Sequence, residues 1–208
     1  VGGTVAAFDD MFHWLPFIEA LLASVLLHVG TNVTNEVYDV RQGVDSITSP
    51  RASHAIVKGR VSERQAFFIS VLSLILAAAI GLHLVYERGW VMLVLGLVGV
   101  IGSWGYTAPP FQFKFHGLGV PMVFLLMGPL MVEGTYFAIT GEWSAVAFYL
   151  SLPIGLLVAA ILHGNEWRDI NEDRRAGIST LSGIIGKKWS YRGYVVLIVG
   201  AFVTLGLL

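Results

Sequence analysis

Asn165, Asp169 and Asp173 recur at i, i+4 and i+8 within HGNEWRDINEDRRAGISTLSGIIG, so on one continuous helix they would stand above one another along a single face. Charge is costly at a membrane border, and an ionisable cluster closing an apolar run is by default a functional site. Two carboxylates and an amide, with no cysteine, form a hard oxygen donor set. Such a set suits Mg²⁺, which keeps several waters and is usually completed by substrate phosphate. The plain alternative is a solvated helix end in which Arg168, Arg174 and Arg175 balance the acids.

A second stretch, TNVTNEVYDVRQGVD, weighs against that alternative. Asn32, Asn35 and Asp39 fall at i, i+3 and i+7, again one helical face, and Gly43 suits a C-cap after which Asp45 could fold back toward Asp39. Two such stripes across a helical bundle, with lysines and arginines nearby, make a site for a polyanion bridged by a divalent metal, with diphosphate the obvious candidate. Metal and cations would neutralise charge building on a departing diphosphate. An apolar bundle lined by Phe, Tyr and Trp could hold a hydrocarbon tail and shield a carbocation, each aromatic face attracting a cation by about 0.5–2 kcal/mol. The loop YTAPPFQFKFHGLG adds Lys114, projected toward the charged end because Pro109 and Pro110 break the preceding helix.

The elements that must position these residues are membrane helices. The chain has 208 residues, of which 55% are hydrophobic and 13% charged, and a mean hydropathy of +0.72, beyond the range of ordinary globular domains. Zero cysteines exclude disulfides and thiolate chemistry, and a net charge of −1 argues against a nucleic-acid partner. Hydropathy places spans at about 15–35, 66–86, 90–106, 118–139 and 144–163, with partial spans at 1–8 and from 191 onward. No second domain, linker or low-complexity tract interrupts them. The expectation is a single domain over 1–208, truncated at both ends.

Parity then makes a prediction. The second, fourth and sixth spans must end on one side, which gathers Asp39, Asp45, the loop 106–117, Asp169 and Asp173 at one face. Arg41, Arg51, Lys58, Arg60, Arg64, Lys114, Arg168, Arg174, Arg175, Lys187, Lys188 and Arg192 share that side, and Arg88 lies opposite. By the positive-inside rule the motif face is cytoplasmic. His54, His83, His116 and His163 show no shared spacing, so none is expected to ligate metal. Glu133 inside the fifth span carries the cost of a buried carboxylate, and Trp104 either packs the core or lines a tunnel.

Taken together, these residues resemble the UbiA-type intramembrane aromatic prenyltransferases, and within them the 1,4-dihydroxy-2-naphthoate polyprenyltransferases of menaquinone synthesis. The resemblance rests on Asn32, Asn35, Tyr38, Asp39, Gly43 and Asp45; on Tyr106, Thr107, Pro109, Pro110, Lys114, Gly117 and Gly119; and on Asn165, Arg168, Asp169, Asp173, Gly177, Thr180 and Leu181. Gly128, Pro129, Gly134 and Thr135 fit the fifth span of that subgroup. It implies an all-α bundle of nine membrane helices, of which about seven are wholly or partly present here. It also implies Mg²⁺ held by Asn35, Asp39, Asp45, Asp169 and Asp173, with diphosphate contacts from Asn32, Asn35, Arg51, Lys58, Lys114 and Arg168. Asp39, Asp169, Lys114 and Tyr106 would carry the catalysis, and the active-site face would be cytoplasmic.

The implied reaction transfers a polyprenyl group from its diphosphate to an aromatic ring, in this subgroup with loss of the ring carboxylate. Relative to the related chlorophyll synthases and protohaem farnesyltransferases, the longer gap between Asp39 and Asp45, with Gly43 inside it, favours the naphthoate subgroup; a transferase acting on another quinone ring precursor or on chlorophyllide is the alternative. Glu36 stands where the family usually has Asp, and the first-helix arginine that the family uses near substrate is not in this sequence. These departures leave room for a silent homologue serving as a subunit of a membrane complex.

Overall fold

The computed structural model describes residues 1–43 and 55–207, and among them the secondary structure is helical. A short α1 (Gly2–Phe8) precedes α2 (Trp14–Arg41), α3 (Glu63–Arg88) and α4 (Trp90–Gly105). One span, Gly119–Thr140, consists of α5 (Gly119–Leu125), a π-helical turn at Leu126–Leu130 and α6 (Met131–Thr140). Then come α7 (Ala145–Arg168), the short α8 (Ile170–Arg175) and α9 (Leu181–Ile185), and α10 (Lys187–Gly206).

Among the described residues five spans are long and apolar enough to cross a membrane, and α4 is a shorter apolar helix. This is an integral membrane helical bundle. Bulky apolar side chains such as Phe68, Ile75, Leu82, Val196 and Phe202 face outward, as a lipid solvent allows.

Helix contacts are made where side chains are small. α2 packs along α3 through Gly30, Thr34 and Ser70, where Thr34 and Ser70 share a hydrogen bond and both reach the Gly30 carbonyl, at 2.7 and 3.2 Å. The π turn meets α7 backbone to backbone: a Cβ on Gly128 would stand 2.8 Å from the Gly155 Cα. Pro129 lies inside that turn. Proline lacks the amide donor, and a π turn absorbs that loss without ending the helix.

Helix ends explain what protrudes. At about 1.5 Å per residue, the 28 residues of α2 measure ~42 Å against a hydrocarbon core of ~30 Å, so its last two turns stand at headgroup depth. Hydropathy ended that span at Asn35, but the helix carries Asn35 and Asp39 rigidly to Arg41. Ser62 starts α3 with a reciprocal capping box to Gln65. At the other end of the bundle Arg88 donates to the Ala138 and Ile139 carbonyls, at 2.8 and 2.5 Å, closing α6. Glu133 lies there too; its Oε2 accepts from the Ser144 amide at 3.4 Å at the start of α7, and its buried Oε1 has no hydrogen-bond partner among the described residues. Trp104 packs edge-on to Tyr38 and Phe67 and donates to the Pro109 carbonyl at 2.9 Å, so packing and loop anchoring account for it.

Candidate active site

The loop after α4 turns back on its own helix. The Lys114 amide donates to the Tyr106 carbonyl at 2.9 Å, and Gln112 turns the chain in the left-handed region, φ 50°. Lys114 is thereby aimed at α2, where its ammonium donates to Asn35 Oδ1 at 2.9 Å and to both carboxylate oxygens of Asp39 at 2.7 and 2.6 Å. Asp39 is 3% and Lys114 8% exposed. Asn35 donates to Asp39 at 2.9 Å, fixing the carboxylate from a second side. A buried pair with this many partners is held in one geometry.

The second acidic arm arrives from α7 by a different route from the one the sequence pattern implies. The α-helix ends at Arg168, and Asp169, at φ −95° and ψ 11°, is the hinge into α8. Hydrogen bonds at i to i+4 still run through the hinge, from the Asp169 amide to Asn165 and from the Asp173 amide to Asp169. The inward set is Glu166, Asp169 and Asp173, all buried, whereas Asn165 is exposed. The single face of Asn165, Asp169 and Asp173 is therefore corrected: Asn165 is exposed, and the buried set follows i, i+3, i+7. Arg168 grips Asp169 at 2.7 and 2.8 Å, and Thr180 donates to Asp173 at 3.1 Å.

The two arms and the loop meet. The Ser179 amide donates to the Phe115 carbonyl at 3.3 Å, tying the segment after α8 to the Lys114 turn. Gly119 is the closest point: a Cβ there would lie 3.3 Å from Glu166 Oε1, 3.5 Å from the Lys114 Cα and 3.6 Å from the Tyr106 hydroxyl. Glu166 is the residue the sequence reading passed over. It is 5% exposed, accepts from the Ser182 amide at 3.2 Å, and keeps Oε1 without a hydrogen-bond partner among the described residues. Its signal was present in the spacing of 166, 169 and 173. Burial, then the Glu166 and Asp39 carboxylates, push the Tyr106 phenol well above its ordinary range, so it stays a neutral donor.

Asp45 and Arg51 lie outside the described residues. Lys58 is exposed on the turn beginning at Ala55, and Asn32 lines the cavity one turn from Asn35. Glu36 accepts from the Ile56 amide at 3.1 Å, so part of its carboxylate anchors the chain after α2. His163, fully buried, brackets α9 and α10 through Ser182 and the Ser190 carbonyl.

As metal donors, the described residues provide no group of three or more His, Cys, Asp or Glu side chains. The chemistry that remains is oxygen from two separate arms, each carboxylate having about four lone-pair sites of which the cations occupy only part. That set fits a cation completed by phosphate oxygens, as Mg²⁺ is, and does not resemble an all-protein cage.

Next to the cluster a cavity of about 500 Å³ runs through the bundle, from Asn32 and Tyr106 to Val85 and Met92. The distance along α4 between Met92 and Tyr106 is ~21 Å. Its walls are mostly Leu, Val, Ala, Gly and Met.

Residues 1–208 match the UbiA prenyltransferase family throughout. The chain belongs to that family. It is 28% identical over 202 residues to the 1,4-dihydroxy-2-naphthoate octaprenyltransferase of Bacillus subtilis, covering 97% of this chain and 64% of that protein. It is 30% identical over 213 aligned positions to UbiA prenyltransferase domain-containing protein 1 of Dictyostelium discoideum, covering 98% and 64%. Against the human protein of the same name it is 31% identical over 182 residues, covering 85% and 52%. The chain thus spans just under two-thirds of the length of the first two of these relatives.

Proposed function

We propose that this chain forms the catalytic part of a Mg²⁺-dependent prenyltransferase that moves a polyprenyl group from its diphosphate to 1,4-dihydroxy-2-naphthoate, giving demethylmenaquinol, the reduced form of demethylmenaquinone. The observation that carries the reading is Lys114 clamped on Asn35 and Asp39 at the mouth of the apolar cavity. A cation and hydrogen-bond donors lie where an anion would sit, beside space for a tail. The names of the relatives support the acceptor.

Lys114, Arg168 and the Tyr106 hydroxyl would bind and orient the diphosphate. Asn35, Asp39, Asp169 and Asp173 would hold Mg²⁺ there, with Asp45 a further donor, and Arg51 and Lys58 would add positive charge. When bound, the metal supplies charge neutralisation for the leaving diphosphate. The C–O bond to the prenyl carbon breaks, its electron pair leaving with diphosphate. The ring carbon bearing the carboxylate forms the new C–C bond, and CO₂ departs from it. Burial of the clamp excludes water that would otherwise capture the cation. The excess of Lys and Arg at this end supports a cytoplasmic orientation for it.

The test is product identification by mass spectrometry from purified protein given Mg²⁺, a polyprenyl diphosphate and competing aromatic acceptors. Prenylated naphthoquinol as the main product supports the reading; a different prenylated ring, or none, overturns it.

A further inference from the structure

One wall of the cavity is unlike the rest. Along α2, Ser24, His28 and Asn32 line it at i, i+4 and i+8, one face of the helix. None of the three makes a side-chain hydrogen bond or ion pair with a described residue. Thr31 and Thr135, which also line the cavity, have already donated their hydroxyls to the Leu27 and Met131 carbonyls, at 2.7 Å each. His28 lies ~21 Å along α2 from Trp14, halfway through a ~42 Å helix. At that depth no bulk water satisfies an imidazole or an amide. A polar side chain facing a membrane cavity marks a ligand that can hydrogen-bond to it. A polyprenyl tail cannot, because it carries neither donor nor acceptor.

We infer that this ladder seats the aromatic acceptor, with Asn32 and His28 taking the two oxygens that stand para to each other on one ring; the inference rests on the prenyltransferase reading above. The spacing supports it. Asn32 and His28 are one turn apart, ~6 Å along the axis, close to the separation of two para oxygens. Asn35, the next residue toward the clamp, is engaged with Lys114 and Asp39. A ring on Asn32 and His28 therefore lies between the diphosphate and the tail channel, where its carbon must meet the prenyl carbon. The apolar part of the lining, with Leu93, Leu126 and Leu130, is left to the tail. The acceptor class is a 1,4-dihydroxy aromatic.

The experiment compares 1,4-dihydroxy-2-naphthoate with 1-hydroxy-2-naphthoate, which lacks one para oxygen, in wild type and His28→Leu. A site built to bond a hydroxyl rejects the analogue lacking it. The ratio of kcat/KM values cancels the intrinsic reactivity of each ring when wild type and variant are compared. The ratio is expected to fall about tenfold or more in His28→Leu, with KM for the prenyl diphosphate within about twofold of wild type. An unchanged ratio, or a parallel rise in the prenyl diphosphate KM, overturns the inference. Asn32→Leu is the second arm and should lose discrimination against 4-hydroxy-2-naphthoate; if His28→Leu does not fold, this arm decides. Equilibrium binding of the same naphthols, read by fluorescence without turnover, keeps the two proposals apart. Protein that binds them with the expected ratios but forms no product contradicts the function and upholds the ladder. Equal binding of all three naphthols by wild type overturns the ladder.

Discussion

Replacing Lys114 by Met tests the clamp most sharply, because the structure fixes what the change leaves behind. Asp39 and Lys114 are both more than nine-tenths buried, and the ammonium touches both carboxylate oxygens at 2.6 and 2.7 Å. Removing one member of a buried pair leaves an uncompensated charge, at a cost of about 3–5 kcal/mol. Asn35 still donates to Asp39, which argues for the lower half of that range. For a chain of this size each kcal/mol shifts Tm by about 2–4 °C, so Lys114→Met should melt about 6–16 °C lower. Asp39→Leu strands the lysine and should lower Tm comparably. The double variant removes both charges and should recover most of the loss, since replacing a buried pair by apolar residues is often neutral or stabilising. The assay is thermal unfolding of all four proteins in one lipid nanodisc composition, analysed as a double-mutant cycle. Recovery of stability without recovery of prenyl transfer is the expected pattern. Single variants that melt within about 2 °C of wild type, or effects that simply add, would refute the clamp.

Further predictions test other contacts. Gly119→Ala puts a Cβ 3.3 Å from Glu166 Oε1 and 3.6 Å from the Tyr106 hydroxyl; turnover should fall about tenfold, a 1.4 kcal/mol effect, with little change in Tm. Gly128→Ala forces the π turn off α7, where its Cβ would stand 2.8 Å from the Gly155 Cα, and should destabilise the fold by about 1–3 kcal/mol in thermal unfolding. The Tyr106 phenol has a folded pKa raised above 10.0. The unfolded chain therefore loses that proton first as pH rises, and stability contributed by Tyr106 is present below pH 10 and declines above it. Tyr106→Phe should make Tm flatter between pH 9.5 and 11 than wild type; an identical slope contradicts the assigned burial. Chelation of divalent cations should abolish transfer and added Mg²⁺ should restore it, measured by product formation.

Much of this architecture is readable from residue order because lipid imposes a simple rule. Apolar runs near 20 residues must be helices, so the spans and the convergence of Asp39, Lys114 and Asp169 follow from hydropathy and parity. Motif residues on α2 were legible because that helix stays regular from Trp14 to Arg41. The second motif was read one residue out of phase because Asn165 and Glu166 both share helical spacing with Asp169 and Asp173, and only packing decides which of the two turns inward. Glu166 was missed because the stripe at i, i+4 and i+8 drew the reading to Asn165, although 166, 169 and 173 also share a helical face. His28 and Ser24 escaped notice because isolated polar residues in an apolar run carry no pattern until a cavity shows which face they share. The π turn was hidden in the fifth span, where Pro129 reads as a tolerated membrane proline.

The central claim is that two acidic arms hold one diphosphate. Its most direct measurement is Mg²⁺-dependent binding of a non-hydrolysable prenyl thiolodiphosphate to wild type, Asp39→Asn, Asp169→Asn and the double variant. A shared site predicts that each single change weakens binding about 100-fold, some 2.7 kcal/mol, and that the double is scarcely weaker than either. Binding within about threefold of wild type in either single variant would contradict it.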